Sequence, residues 1–182
     1  MPDGLSVRKE GLDLVISYVW FSFGYVLLLP VCAVWDWLVL LFYRGFARMK
    51  EPFFVWLFPL GHVAVGVGLT YYTLAKLLNR TRIRVSPRQL SIEHLPLPWP
   101  GGKVLPAGDL DQIFCEERVR RSRRGILFYS YAIVAQRRDG TRVELVRVLE
   151  TREQALYIEQ QIETHLRIKD RPVRGEMRQF EL

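Results

Sequence analysis

Two apolar stretches, Gly24–Tyr43 and Phe53–Ala75, most constrain what this chain can fold into. They run 20 and 23 residues, and about 20 apolar residues at 1.5 Å rise cross a hydrocarbon core of about 30 Å. Only Arg44–Pro52 separate them. The pattern predicts a membrane helical hairpin over residues 24–75, followed from Asn79 by a basic, strand-rich soluble domain.

The charge is placed unevenly. Residues 1–78 hold 6 Lys/Arg against 5 Asp/Glu, and residues 79–182 hold 20 against 14. A basic domain beside a bilayer is drawn to anionic headgroups, by about 1 kcal/mol per Lys or Arg near the surface. No helix-turn-helix, zinc-finger or aromatic RNA-binding pattern is present, which argues against nucleic acid as the partner. Cys32 falls inside the first apolar stretch and Cys115 in an expected strand, so a disulfide is not expected and a reducing compartment fits. The apolar region starts too late and runs too long for a cleavable signal peptide, and it contains Asp36.

Residues 1–11 are polar and read as loose. Leu12–Phe23 admits two readings: Leu12, Leu14 and Ile16 alternate as in a strand, while Tyr18, Trp20, Phe21 and Phe23 suit an interfacial helix start. Tyr43, Trp56, Tyr71 and Tyr72 are the corresponding interfacial anchors. Thr81, Ile83 and Val85 alternate with Arg82, Arg84 and Ser86, a half-buried strand, and Leu90–Ile92 resumes the pattern after Pro87-Arg88. Residues 96–102 are broken by Pro and Gly. Asp111–Arg120 and Ile126–Arg137 form an expected hairpin around Ser122–Gly125, and Asp139-Gly140 turns the chain into Thr141–Leu149. Thr151–Gln154 fits a capping box, after which Ala155, Ile158, Ile162 and Leu166 form one helical stripe. Strands followed by one C-terminal amphipathic helix is the element order of a pleckstrin-homology-like domain; other small barrels share it.

Seven basic residues flank the terminal side of the apolar region: Arg8, Lys9, Lys76, Arg80, Arg82, Arg84 and Arg88. The intervening loop has three, Arg44, Arg48 and Lys50. The positive-inside rule places both termini and the soluble domain in the cytoplasm.

The stretches LGHVAVGVGLTYY at Leu60–Tyr72, LNRTRIRV at Leu78–Val85, PLPWPGGKVLP at Pro96–Pro106, and EQALYIEQQIE with the tail KDRPVRGE within Gln154–Glu176 carry a resemblance. The chain resembles an uncharacterised family of bacterial two-span membrane proteins with a pleckstrin-homology-like domain. That resemblance implies fold and placement in the bacterial inner membrane. It implies no activity, no catalytic residue and no cofactor.

Asp36 is the costliest residue, since a carboxylate at helix centre costs about 2.5–3.5 kcal/mol on insertion scales. Counted from the loop ends of the two stretches, Asp36 and His62 fall at similar depth and form a candidate intramembrane polar pair: a structural clamp, or a proton relay or ligand site; the remaining alternative is no contact, with Asp36 near the interface between Trp35 and Trp37. Gly61, Ala64 and Gly68 lie along one edge of the second helix and are candidate packing positions, within the hairpin or toward a second copy or partner. Arg118, Arg120, Arg121, Arg123 and Arg124 crowd one turn. Arg forks phosphate well, so the turn is a candidate docking site for phosphatidylglycerol or cardiolipin. The plainer reading is a solvated tip balanced by Glu116 and Glu117. Trp99, between two prolines, reads as a residue closing one end of the barrel or capping a groove.

His94 and His165 stand alone, and neither a metal-ligand spacing nor a nucleophile elbow is present, so no catalytic constellation, metal or cofactor is expected. The expected order is an N-terminal segment 1–23, a two-helix hairpin 24–75, a soluble domain 79–167 and a charged tail 168–182. The expected function is a non-enzymatic, membrane-anchored binding or scaffolding module engaging a partner protein or anionic lipid at the inner face. The alternatives are an accessory subunit of a membrane complex, associating with a partner or with itself through its helices, and a membrane enzyme or cofactor carrier using Asp36 and His62.

Overall fold

The computed structural model describes residues 2, 4–48, 57, 59–149, 151–169, 171, 173, 175 and 177. The start of the second apolar stretch at Phe53, the loop charge Lys50, the anchor Trp56 and the alternate tail residues from Asp170 lie outside the described residues. The chain divides into two compact units. One comprises Met1–Tyr18, Thr81–His94 and Pro100–Leu182, and the other Val19–Arg80 and Leu95–Trp99.

The first unit is α+β, with two antiparallel sheets and a C-terminal helix. Strands β1 (Leu5–Glu10), β2 (Asp13–Val19), β3 (Arg80–Val85), β4 (Gln89–Leu95) and β5 (Lys103–Pro106) form one sheet in chain order. A single 3-10 turn, Ala107–Asp109, leads to the second sheet of β6 (Leu110–Arg121), β7 (Leu127–Arg137) and β8 (Arg142–Leu149). The N-terminal segment is not loose: β1 pairs with β2 from Leu5↔Tyr18 to Glu10↔Asp13. The turn between them needs Gly11, whose φ of +64° costs a residue without Cβ nothing. Residues 13–19 are strand, with Leu14 and Ile16 buried.

Both sheets contribute one face to a common core with Ile83, Ile92, Ile113, Ile133 and Leu149 fully or almost fully buried. The last helix, Arg152–Leu166, lays Ala155, Ile158 and Ile162 into that core. Each such isoleucine removed from water contributes about 1.5–3 kcal/mol. The helix begins at Thr151, whose Oγ1 accepts from the Gln154 amide at 3.3 Å. Two described residues of the tail stay with the unit. Ile168 and Met177 pack against the core, and the Met177 amide donates to the Cys115 carbonyl at 2.8 Å.

The second unit holds α1 (Phe23–Val26), α2 (Leu28–Phe46) and α3 (Leu60–Leu78); the C-terminal helix is α4. The break at Leu27 follows from Pro30, which has no N–H for the Val26 carbonyl and whose ring crowds it. Among the described residues, Phe23–Gly45 is the one helix long and apolar enough to cross a membrane, and nearly all of it is uncovered. That exposure is the reverse of what a soluble protein's core helix shows. Helix α3, interrupted by His62 and Lys76, does not meet the same test over its described length. Contacts 35 to 62, 36 to 70 and 32 to 73 show that α2 and α3 run antiparallel.

Candidate functional site

The hairpin of β6 and β7 carries the arginine cluster. Strand β8 stops opposite Tyr131, paired with Leu149, so residues 117–130 form a ribbon of two strands. Its tip closes through Ser122 N–H to Ile126 O at 2.8 Å and Gly125 N–H to Ser122 O at 2.9 Å, with Gly125 at φ +81°. Arg118 does not belong to the tip surface. It pairs with Glu116 at 3.6 Å, two residues back on the same strand, and with Glu144 at 2.5 Å, on β8 across the intervening β7. Arg120, Arg121, Arg123 and Arg124 are exposed and have no ion-pair partner among the described residues. Glu116 is committed to Arg118 and Arg142, so it does not balance them. Sequence reasoning missed that the same ribbon exposes Val119, Ile126, Leu127, Phe128 and Tyr129. A strand pattern with apolar residues on both faces reads as buried, and only the missing third strand reveals otherwise.

In the helix pair, Asp36 and His62 do not pair. Asp36 Oδ2 accepts from Thr70 Oγ1 at 2.9 Å, while the His62 ring stacks on Trp35 at 5.8 Å and its carbonyl accepts from Trp35 Nε1 at 3.0 Å. The helix register sets this: Asp36 lies level with Gly66 and Thr70, one to two turns beyond His62. The packing glycine is Gly66, where a Cβ would collide with Asp36 Oδ1 and lie 3.0 Å from Trp35 Cδ1. A Cβ added at Gly61 or Gly68 would meet nothing within 4 Å and Ala64 is exposed, so these three positions do not pack closely on α2. Cys32 Sγ lies 3.5 Å from Thr73 Oγ1 in the same seam.

Trp99 closes no barrel end. It belongs to the helix unit, where it packs edge-on against Trp20 at 5.5 Å and stacks with Tyr71 at 6.4 Å. The Tyr71 hydroxyl donates to the Pro98 carbonyl, and the buried Asn79 amide exchanges two bonds with Leu97, at 2.8 and 2.9 Å. The Lys76 ammonium lies 5.1–5.7 Å from the Trp20, Tyr25 and Tyr72 rings, within cation–π range.

The first unit also has an open cavity of about 870 Å³ lined in part by Arg138, His165, Arg167, Lys169 and Arg171, with Asp111 taken by Arg171 at 2.7 Å. The histidines serve local structure. His165 Nε2 lies 3.1 Å from the Leu12 carbonyl, and His94 Nδ1 lies 3.1 Å from Thr81 Oγ1. Burial lowers the His94 pKa below its ordinary value of 6.5. Glu159 and Glu163 on α4 are buried, with Gln112 Nε2 donating to Glu163 Oε1 at 3.0 Å. Among the described residues no three His, Cys, Asp or Glu side chains cluster as metal ligands. No known family model matches the chain, and no curated protein matches its sequence.

Proposed function

We propose that the chain is a non-enzymatic binding module of the inner membrane, anchored by a helical hairpin with both termini in the cytoplasm. Its pleckstrin-homology-like unit engages an anionic partner, lipid or acidic protein, through the β6–β7 ribbon. The observation that carries this reading is the ribbon's four unneutralised guanidiniums on a chain that also holds an exposed, membrane-length helix. The two-span hairpin draws support from connectivity. Strands β2 and β3 are neighbours in one sheet, so the chain between them crosses a bilayer an even number of times. Two sheets closed by one C-terminal helix is the arrangement that supports the pleckstrin-homology-like assignment.

The test uses the full chain in phosphatidylcholine nanodiscs, floated with vesicles rich in phosphatidylglycerol, and a photo-crosslinker at Tyr129 in cells. Changing Arg120, Arg121, Arg123 and Arg124 together to Ser should remove both the co-flotation and the crosslinks. Retention of both would end the reading. A second reading, accessory subunit of a membrane complex, is favoured by the open Gly61, Ala64 and Gly68 edge of α3, where a neighbouring helix can approach closely. The carrier built on Asp36 and His62 loses its pair to Thr70 and Trp35.

A further inference from the structure

We propose that the β6–β7 ribbon is a membrane wedge: Ile126, Leu127, Phe128 and Tyr129 enter the headgroup layer of an anionic bilayer while the adjacent arginines take lipid phosphates. This rests on the reading of the ribbon as the anion-seeking surface and fixes the partner as lipid. Phe128 is 59% exposed and Tyr129 54%, and Ile126 is 55%. Large apolar side chains contiguous at one tip mark an interaction site.

The register decides between a bilayer and a protein. Opposite residues of an antiparallel pair share a face. Val119, Arg121, Leu127 and Tyr129 therefore occupy one face of the ribbon, and Arg120 and Phe128 the other. Both faces combine apolar and cationic side chains, and both are exposed. A protein surface covers one face of a ribbon and leaves the other apolar face in water. A headgroup layer surrounds a protruding tip and satisfies both. Within it Tyr129 has its ring in the apolar boundary and its hydroxyl at water, the setting where tyrosine is enriched. The guanidiniums are long enough to reach phosphates from either face, and each phosphate accepts a two-pronged Arg contact. An anionic leaflet is preferred over a zwitterionic one because four like charges on one tip are relieved beside a negative surface potential.

The experiment places an environment-sensitive fluorophore on Phe128→Cys in the full chain. The buried Cys32 and Cys115 are controlled by the unsubstituted protein. The chain is held in nanodiscs rich in phosphatidylglycerol, and separately in phosphatidylcholine nanodiscs with phosphatidylglycerol vesicles added. Blue-shifted emission, quenched by spin labels high on the lipid acyl chains, is expected in at least one arrangement and in neither all-phosphatidylcholine control. The double variant Ile126→Ser, Leu127→Ser should weaken vesicle binding about tenfold or more at salt high enough to screen the arginines. The same label at Leu12→Cys should stay water-exposed throughout. Water-like emission at position 128 in every lipid overturns the wedge. If the arginine-dependent co-flotation or crosslinks persist in that case, the ribbon binds an anionic partner without insertion and the proposed function stands.

Discussion

A carboxylate inside an apolar helix needs a donor, and Asp36 finds one in Thr70 because Gly66 leaves the space between them. Gly66→Ala should therefore push Asp36 and Trp35 aside and destabilise the helix pair by about 1–3 kcal/mol. Gly68→Ala, facing open space, should leave stability unchanged or raise it by up to about 1 kcal/mol through helix propensity. Denaturant unfolding of the full chain measures both, and equal losses at the two glycines would show that α2 does not pack on Gly66. His94 supplies a pH dependence. Half-burial holds its folded pKa below 6.5, so the unfolded chain binds more protons between the two values. The stability it contributes is complete above about pH 6.5 and is lost as pH falls through the folded value. His94→Gln should flatten that acid limb in thermal unfolding of the full chain; the same slope in both proteins would assign the limb to other groups.

Elements follow patterns that local chemistry sets, and they fail to be legible where partners are remote. Helix α4 was readable because Thr151 caps it and Ala155, Ile158 and Ile162 recur on one face. Thr151→Ala should cost about 1 kcal/mol and Ile158→Ala about 2–5 kcal/mol. Loss of the α4 cap should increase hydrogen exchange at Gln154, whose amide Thr151 accepts; unchanged protection there would show that the cap does not hold the first turn. Strands β3, β4, β6, β7 and β8 were readable from alternation and from the Ser122–Gly125 and Asp139-Gly140 turns, whereas the four-residue β5 after the Pro/Gly segment was not. Strand β1 was not, because Arg8, Lys9 and Glu10 on an edge carry no apolar alternation, and only pairing with β2 gives the segment its order. The candidate site was half legible. Five arginines in one turn stand out in any sequence, but Arg118 is removed by Glu144, a residue 26 positions away. The helix seam was misplaced for a related reason: depth counted from the ends of apolar runs ignores where α3 begins, at Leu60, and so shifts the register past His62.

At the scale of the whole molecule, the helix pair is an insertion inside a β-meander rather than a leader in front of a domain. Strand β2 ends at Val19 and β3 starts at Arg80, and the ladder continues one step further through Trp20 N–H to Asn79 O at 3.1 Å. Two backbones hydrogen-bonded side by side cannot lie on opposite sides of a bilayer. Whatever the chain does between residues 20 and 79, it returns to the side it left, which permits zero crossings or two and forbids one. The proposed anchor takes the second option, and the apolar surface that Phe23–Gly45 leaves uncovered outside its seam with α3 is what that option would bury. The proposed orientation, with the sheet in the cytoplasm, draws on the seven basic residues of the terminal side against three in the loop. Leu12, 79% exposed in the β1–β2 turn, and Ala47, exposed at the end of α2, report the two sides. In intact cells an impermeant thiol reagent should label Ala47→Cys at once and Leu12→Cys only after permeabilisation. Labelling at position 12 alone would invert the orientation, and protection of both until permeabilisation would reduce the crossings to zero and with them the anchored module.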